Sequence, residues 1–343
     1  MSSSAVIRTF FRLFTHIQLM PVLESGEETL VGGQAVMEGV MMRAPHSYCV
    51  AVRKPDGEIV TQEQPLARLS EKHPMLGWPI IRGVATLGHA MYLGMRALKF
   101  SADVALHEEK KKEAEANGTT VEAPAGDYSG AIPGWLMAAN LAFSLVFFIF
   151  LYKFVPLLLT EWMAKAFPSI ENQFLFNAVD GVIRLVIFCA FLFAISRTPD
   201  IRRVFEFHGA EHKVVFNFES GKPVNVQNAQ SFATFHPRCG TSFLIVVMLV
   251  SIAVYTAFPF ESFLAKFLLR LAALPIIAGL SYELIRYSAK HQGSLLALLV
   301  APGLWLQRIT TQPPSDDQTE VAIHALDRAM ALEIEQGGEA VIA

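Results

Sequence analysis

Residues 236–258 read HPRCGTSFLIVVMLVSIAVYTAF, so that a short stretch with a histidine and a cysteine runs directly into a long apolar segment. About two dozen positions earlier, residues 208–213 read HGAEHK. A helix needs roughly 20 apolar residues to cross a lipid bilayer. Together these two stretches predict a membrane protein that holds metal-binding side chains at the membrane surface.

The spacing of HGAEHK suits a metal site on a helix. At positions i, i+3 and i+4, the side chains of His208, Glu211 and His212 share one helical face. In the order HxxEH, two imidazoles can hold one zinc ion while the carboxylate between them acts on a water molecule. His236 and Cys239 lie in the same inter-membrane segment and are further candidate ligands.

A plainer interpretation of the motif stays open. Histidines four residues apart can lie on an ordinary polar helix face, with Glu211 in an ion pair to Lys213 or to an arginine. Short motifs of this kind also arise by chance. A pair of histidines that flanks a glutamate, with His236 and Cys239 downstream, favours metal or catalytic use.

The composition indicates that part of the chain lies in lipid. The 343 residues are 52% hydrophobic and 17% charged, which is too apolar for an average soluble domain. The net charge of −3, without a basic stripe of interleaved aromatic residues, gives no reason to expect a nucleic-acid partner. Cys49, Cys189 and Cys239 lie far apart, so we expect no disulfide framework.

Four apolar segments predict an α-helical integral membrane protein with about four transmembrane helices. They cover residues 133–156, 174–196, 241–258 and 263–283. Basic residues gather between the second and third segments, whereas the loops on the other side carry essentially only Lys165. By the positive-inside rule, both termini and the histidine-bearing loop are then cytoplasmic, and the lipid bilayer is the first expected partner.

This topology brings further polar residues into consideration. The third and fourth spans form a tight hairpin, so Glu283 should return close to Cys239 and is an extra candidate metal ligand. The alternative for Glu283 is an ion pair with Arg286 at i+3. Asp180 and Arg184, at i and i+4 in the second span, are costly in hydrocarbon unless they face the bundle interior.

The N-terminal part predicts a small α+β cytoplasmic region with an interfacial helix. Pro55-Asp56-Gly57 separates two strand-like runs, which is a hairpin signal. Before it, Gln34 and Glu38 share a face in either a strand or a helix, and Glu38 is a candidate catalytic residue. Residues 79–106 place a polar stripe on an apolar helix, which is typical of a helix lying along a membrane surface.

The predicted parts follow one another along the chain. They are an N-terminal amphipathic segment (1–28), the cytoplasmic hairpin region with the interfacial helix (29–107), a flexible charged linker (108–132), the first two transmembrane helices (133–196), the cytoplasmic motif loop (197–240), the last two transmembrane helices (241–283), and a membrane-surface segment with a C-terminal cytoplasmic helix (284–343).

Five ordered motifs resemble those of the bacterial YqhQ-type membrane family. They are GGQAVMEGVMMR at 32–43, WPIIRG at 78–83, HGAEHK at 208–213, HPRCGTSF at 236–243, and Tyr282-Glu283 with Arg286. The resemblance covers nearly the whole chain. The family is of unknown function and is often labelled a predicted metal-dependent enzyme, a label that names no substrate. The resemblance implies a location in the bacterial cytoplasmic (inner) membrane.

These residues favour a metal-dependent hydrolase at the cytoplasmic membrane surface. His208 and His212 would bind a divalent metal, expected to be zinc, and His236 or Cys239 would complete the set and leave one position for water. The substrate is an unknown small molecule, lipid or protein, and the oligomeric state is unknown.

Other residues would act on the substrate, and two alternative functions stay open. Glu211 would be the general base, Arg238 would stabilise developing negative charge, and Glu38 would enter from the N-terminal region. The first alternative is a membrane scaffold or assembly protein with a closed structural metal site. The second is a small transporter in which Asp180 and Arg184 line a path.

Overall fold

The computed structural model describes residues 31–66, 74–118, 128, 132–236, 239–290, 303 and 305–336. Most of them are helical, and one small antiparallel sheet lies near the N-terminus. This agrees with the predicted class of a mostly helical protein with a small N-terminal α+β region. The predicted amphipathic segment at 1–28 lies outside the described residues.

The sheet is a four-stranded antiparallel meander in the order β1-β2-β3-β4. Its strands are β1 (Gly32–Val36), β2 (Gly39–Arg43), β3 (Ser47–Arg53) and β4 (Ile59–Pro65). The predicted hairpin is confirmed, because Arg53 of β3 lies opposite Ile59 of β4. Gly57 in the turn has φ of 92°, a left-handed conformation that glycine adopts without steric cost.

Besides a helical stretch at residues 305–310, the described chain contains nine helices. They are α1 (Ile81–Ala116), α2 (Gly134–Ala166), α3 (Gln173–Ile195), α4 (Pro199–Glu219), α5 (Val226–Gln230), α6 (Gly240–Thr256), α7 (Phe263–Ala272), α8 (Leu274–Lys290) and α9 (Asp316–Glu335). Short 3-10 turns lie at Pro74–Gly77 and Pro168–Glu171, and α2 contains a π-helical turn at Phe150–Phe154.

Helices cover both faces of the sheet. On one face, Met42 and Cys49 pack against residues of α4 and α9 such as Phe207. On the other face, Val50 and its neighbours pack against α1, including Leu93. Because both faces are buried, β2 and β3 are almost continuously apolar and do not alternate between apolar and polar residues.

Two or three helices of the described chain suit membrane crossing. Helices α2 and α3 have 33 and 23 residues and are apolar enough to cross a bilayer. Helices α7 and α8 pass the same test only as a pair bent by 50°, as in a broken span or a re-entrant loop. Helix α6 has 17 residues and spans about 26 Å, less than the roughly 30 Å of a hydrocarbon core. The predicted set of four spans is therefore not confirmed.

The predicted linker begins later than expected, because α1 continues to Ala116. Residues 108–116 are Glu, Lys and Ala, which are strong helix formers. They extend a helix that is already stabilised by packing on the sheet, so no new nucleation is needed. Residues 119–127 lie outside the described part of the chain.

Candidate metal site

Helix α4 carries HGAEHK on a face that is turned towards the protein interior. Glu211 and His212 are buried, with exposed fractions of 6% and 3%. At Gly209, a Cβ atom would overlap the backbone oxygen of Gln312. The glycine inside the motif therefore allows α4 to lie directly against the segment that precedes α9.

Three of the predicted ligands come together. One ligand atom from each of His208, His212 and Cys239 lies within 4.8 Å of the other two. The Nε2 atom of His208 lies 3.4 Å from the Sγ atom of Cys239. Around a tetrahedral zinc ion, ligand atoms lie roughly 3–4 Å apart. The spacing of this His-Cys cluster is thus close to that of a metal site.

Backbone carbonyl groups orient both imidazoles. The Nδ1 atom of His208 lies 2.7 Å from the backbone oxygen of Thr310, and Nδ1 of His212 contacts the backbone oxygen of Thr234. A carbonyl oxygen only accepts hydrogen bonds, so each Nδ1 is the donor, and in the neutral imidazole the lone pair is then on Nε2. Metal-binding histidines are typically held in this way.

Glu211 lies at the edge of the cluster in a buried environment. Its Oε2 atom is 3.5 Å from Nε2 of His212. Burial raises the pKa of Glu211, and this outweighs the opposing effects of His208, His236 and a hydrogen bond donated by the Gly33 backbone N–H. A carboxyl group with a raised pKa beside a cluster of ligands is suited to accept and return a proton.

The glycine-rich motif of the N-terminal region contributes to the same environment. A Cβ atom at Gly33 would lie 2.6 Å from Cγ of Glu211, so only glycine lets β1 approach this close. The neighbouring Gln34 points elsewhere, because its side-chain amide packs against Gly94 of α1.

His236 lies beside the His-Cys cluster and outside the group of three. Its ring centroid is 5.5 Å from that of His212 and 4.5 Å from that of Phe216. Its Nε2 atom lies 3.6 Å from Oε2 of Glu219. Gln307 holds the backbone, since its side-chain amide accepts from the His236 N–H and donates to the His236 oxygen, each at 2.7 Å.

Glu219 also lies at this site and was not among the predicted site residues. The residue follows His212 by seven positions on α4, which is close to two helical turns. Extending the helical spacing of HxxEH to the end of α4 would have placed Glu219 on the same face.

Within the described residues, Lys213 does not form an ion pair with Glu211. Lys213 donates from Nζ to the backbone oxygens of Gln230 at 2.8 Å and Phe232 at 2.7 Å. The lysine therefore holds the segment that leads to His236, while Glu211 faces the cluster. The alternative pairing of Glu211 with Lys213 is wrong.

Glu283 lies in an ion pair away from the His-Cys cluster. Its Oε1 atom accepts from Nε of Arg82 at 2.6 Å and from the backbone N–H of Ile80 at 3.2 Å. Helix α8 packs on the first turns of α1, where a Cβ atom at Gly83 would lie 2.7 Å from Cβ of Tyr282. This docking places Arg82 against the carboxylate of Glu283, which was predicted to be a metal ligand or a partner of Arg286.

The predicted catalytic residue Glu38 lies apart from the His-Cys cluster. Glu38 lies in the turn between β1 and β2, with φ of 52°, and pairs with Arg203, whose Nε is 2.5 Å from Oε1. The Glu38 side chain is 41% exposed. Arg238 lies outside the described residues.

The comparisons with known proteins identify the family. Residues 78–332 match the model of a family described as "Protein of unknown function (DUF1385)". The chain belongs to this family. It is also 33% identical over 312 residues to the "Uncharacterized protein YqhQ" of Bacillus subtilis (strain 168), covering 88% of this chain and 92% of that protein. The resemblance inferred from the five motifs is confirmed, and the comparison with solved structures gave no match.

Proposed function

We propose that this protein is a metal-dependent membrane enzyme, a hydrolase whose metal ligands are His208, His212 and Cys239. The observation that carries the proposal is their convergence within 4.8 Å, with the Nδ1 atoms of both histidines already bound to backbone carbonyls. Such outer hydrogen bonds orient ligands before a metal arrives. Two histidines on an ordinary polar surface do not require such hydrogen bonds.

The ligand types favour zinc. Two neutral imidazoles and one thiolate are borderline-soft donors, which zinc accepts readily. Three protein ligands leave a fourth position for water, as in catalytic sites. When bound there, zinc would lower the pKa of that water and supply a nucleophile near neutral pH. Glu211 would take up the water proton and pass it to the leaving group.

The proposed site lies at a membrane surface. Cys239 immediately precedes the apolar helix α6, so its thiol lies where that helix would leave the bilayer. The excess of basic residues between α3 and α6 supports a cytoplasmic position, with four spans and both termini on that side. We therefore favour a substrate that reaches the site from the inner leaflet or from the adjacent cytoplasm.

A second candidate is a scaffold or assembly protein with a closed structural metal site. The position of the His236 ring beside His212 supports it, because a rotation of this ring would supply a fourth ligand. The variant His236→Ala separates the two. A catalytic site keeps its metal in this variant, whereas a closed four-ligand site loses most of it.

The test is elemental analysis of the full chain purified in detergent after growth with added zinc. We expect about one zinc per chain in the wild type and its loss in His208→Ala, His212→Ala and Cys239→Ala. The matched control is His324→Ala, which removes a histidine of α9. Absence of zinc from the wild type, or unchanged zinc in the first three variants, would contradict the proposal.

Chemistry is tested separately on variants that keep the metal. Chromogenic ester, phosphoester and anilide compounds in mixed micelles serve as probes of hydrolysis. We expect Glu211→Gln to retain zinc and to lose turnover by a factor of about 10² or more. A zinc-loaded wild type that turns over none of these probes would favour the scaffold.

A further inference from the structure

A network of charged and polar side chains lies inside the helical bundle. Asp180 of α3 forms ion pairs with Arg184 of the same helix and with Arg270 of α7. Asp180 and Arg270 are only 0% and 2% exposed. Arg184 also donates to the hydroxyl of Ser251 on α6 at 3.0 Å, and Arg270 donates to Oδ1 of Asn177 at 3.4 Å. The predicted pair at 180 and 184 thus faces the bundle interior.

This inner network has an excess of positive charge. Lys153 of α2 donates from Nζ to the hydroxyl of Tyr255 at 3.2 Å. The Tyr255 ring has the cationic groups of Lys153, Arg184 and Arg270 at 5.7, 5.7 and 5.2 Å from its centroid. Within the described residues, Asp180 is the carboxylate that pairs with Arg184 and Arg270, and no ion pair joins Lys153 to a carboxylate. Unbalanced charge in an apolar bundle is costly, and it commonly marks a functional site.

A cavity of about 510 Å³ reaches the inner network from one end of the bundle. Arg270, Tyr255 and Asn177 line it, together with residues of the connections from α2 to α3 and from α6 to α7. Helix α4 and Cys239 lie at the other ends of α3 and α6. The cavity therefore opens at the end of the bundle opposite to the His-Cys cluster.

The outer part of the cavity has no comparable charge excess. Its lining includes two lysines and three glutamates, and Lys266 pairs with Glu161 at 2.5 Å. The positive excess is therefore confined to the inner end, at Arg270 and the Tyr255 hydroxyl that contacts Lys153. A guanidinium group next to a hydroxyl is a common receptor for carboxylate or phosphate oxygens.

We propose that this cavity binds a small anion that bears a carboxylate or phosphate group, through Arg270 and the Tyr255 hydroxyl. The anion would offset the unbalanced positive charge of the inner network. This site is separate from the proposed metal site and does not depend on it. Because the cavity opens at the opposite end of the bundle, its ligand would reach it from the other side of the membrane.

The test is thermal unfolding of the full chain in a neutral detergent, at constant ionic strength, with inorganic phosphate or succinate added. A ligand that binds only the folded state raises Tm. The rise grows with ligand concentration and, well above the dissociation constant, follows the logarithm of that concentration. We expect this for at least one anion, and the comparison of the two distinguishes phosphate from carboxylate recognition. Arg270→Gln should abolish the effect.

Two further variants keep the proposal testable if Arg270→Gln fails to fold. Lys153→Met removes an unbalanced buried cation, so the unliganded variant should be at least as stable as the wild type. Its affinity for the anion should fall about tenfold, as for one lost charged contact. The control Lys165→Met, at the outer part of the cavity, should keep wild-type affinity. No rise of Tm with anion concentration in the wild type with either anion, or equal effects in Lys153→Met and Lys165→Met, would overturn the proposal.

Discussion

The Nε2 atom of His208 lies 3.4 Å from the Sγ atom of Cys239, although the two residues are 31 positions apart. His208 belongs to α4, and Cys239 is the residue immediately before α6. The contact therefore joins the helix that carries HGAEHK to an apolar helix of the bundle. Metal binding at this point would tie the sheet and its covering helices to the membrane part of the protein.

Replacement of Cys239 tests whether its thiol is a ligand. With cobalt(II) in place of zinc, a thiolate ligand produces an intense charge-transfer absorption in the near ultraviolet. We expect this band in the wild type and its loss in Cys239→Ser, with cobalt affinity reduced about tenfold or more. The control Cys189→Ser should keep the band, and persistence of the band in Cys239→Ser would exclude the thiol as a ligand.

Metal retention should depend on pH. Thiol and imidazole groups must lose their protons to bind a metal, so protons compete with zinc as the pH falls. We expect zinc retained at pH 7.5 to be released between about pH 7 and 5 during dialysis against a weak chelator. Bound zinc is measured at each pH. Retention that stays constant down to pH 5 would argue against histidine and cysteine ligands.

Glu211→Gln should stabilise the metal-free protein at neutral pH. Burial raises the pKa of Glu211, so the folded state holds its proton to higher pH than the unfolded chain. The stability that this proton contributes is complete below the unfolded pKa of about 4.3 and is lost as the pH rises through the folded pKa. The uncharged glutamine has no such loss.

The comparison is made by denaturant unfolding at two pH values. At pH 7 we expect a larger free energy of unfolding for Glu211→Gln than for the wild type, and at pH 4 little difference. A variant that is less stable than the wild type at pH 7 would show that Glu211 has a structural role.

Two glycines of α1 should respond to alanine in opposite directions. At Gly83 the new Cβ would lie 2.7 Å from Cβ of Tyr282, whereas at Gly88 nothing lies within 4 Å. We expect Gly83→Ala to cost about 1–3 kcal/mol of unfolding free energy, and Gly88→Ala to add about 0.5–1 kcal/mol. Thermal unfolding of both variants gives the comparison, and equal effects would contradict the close packing of α1 on α8.

Glu283→Gln should affect stability and leave metal binding intact. The glutamate is bound by Arg82 in a partly exposed ion pair, so its loss should cost up to about 1 kcal/mol. The double variant Arg82→Gln/Glu283→Gln should recover part of this cost. Elemental analysis of the single variant provides the contrast, because a loss of zinc would restore Glu283 as a ligand.

Several features of this protein were predictable because they depend on short stretches of sequence. The hairpin at Pro55-Asp56-Gly57 follows from turn chemistry, and the helix of HGAEHK places its polar side chains on one face by its repeat. The capping box at Ser315 and Gln318 is also local, since reciprocal hydrogen bonds join residues three positions apart. In each case the interacting groups are at most a few residues apart.

The partners of individual charges were harder to predict. Glu283 meets Arg82 across 201 positions, and Glu38 meets Arg203 across 165. An ion pair depends on side chains that approach within a few ångströms, and no local spacing encodes this approach. The cationic excess around Tyr255 likewise arises only when α2, α3, α6 and α7 pack together.

The sequence by itself determined the mostly helical class, the apolar segments and the order HxxEH, because hydropathy and helical spacing are local properties. Only the tertiary structure decided that Cys239 joins His208 and His212, that His236 lies beside them, and that α1 binds Glu283. The reason is geometric: ligands and ion pairs form where separately folded segments dock, and docking depends on the packing of whole surfaces.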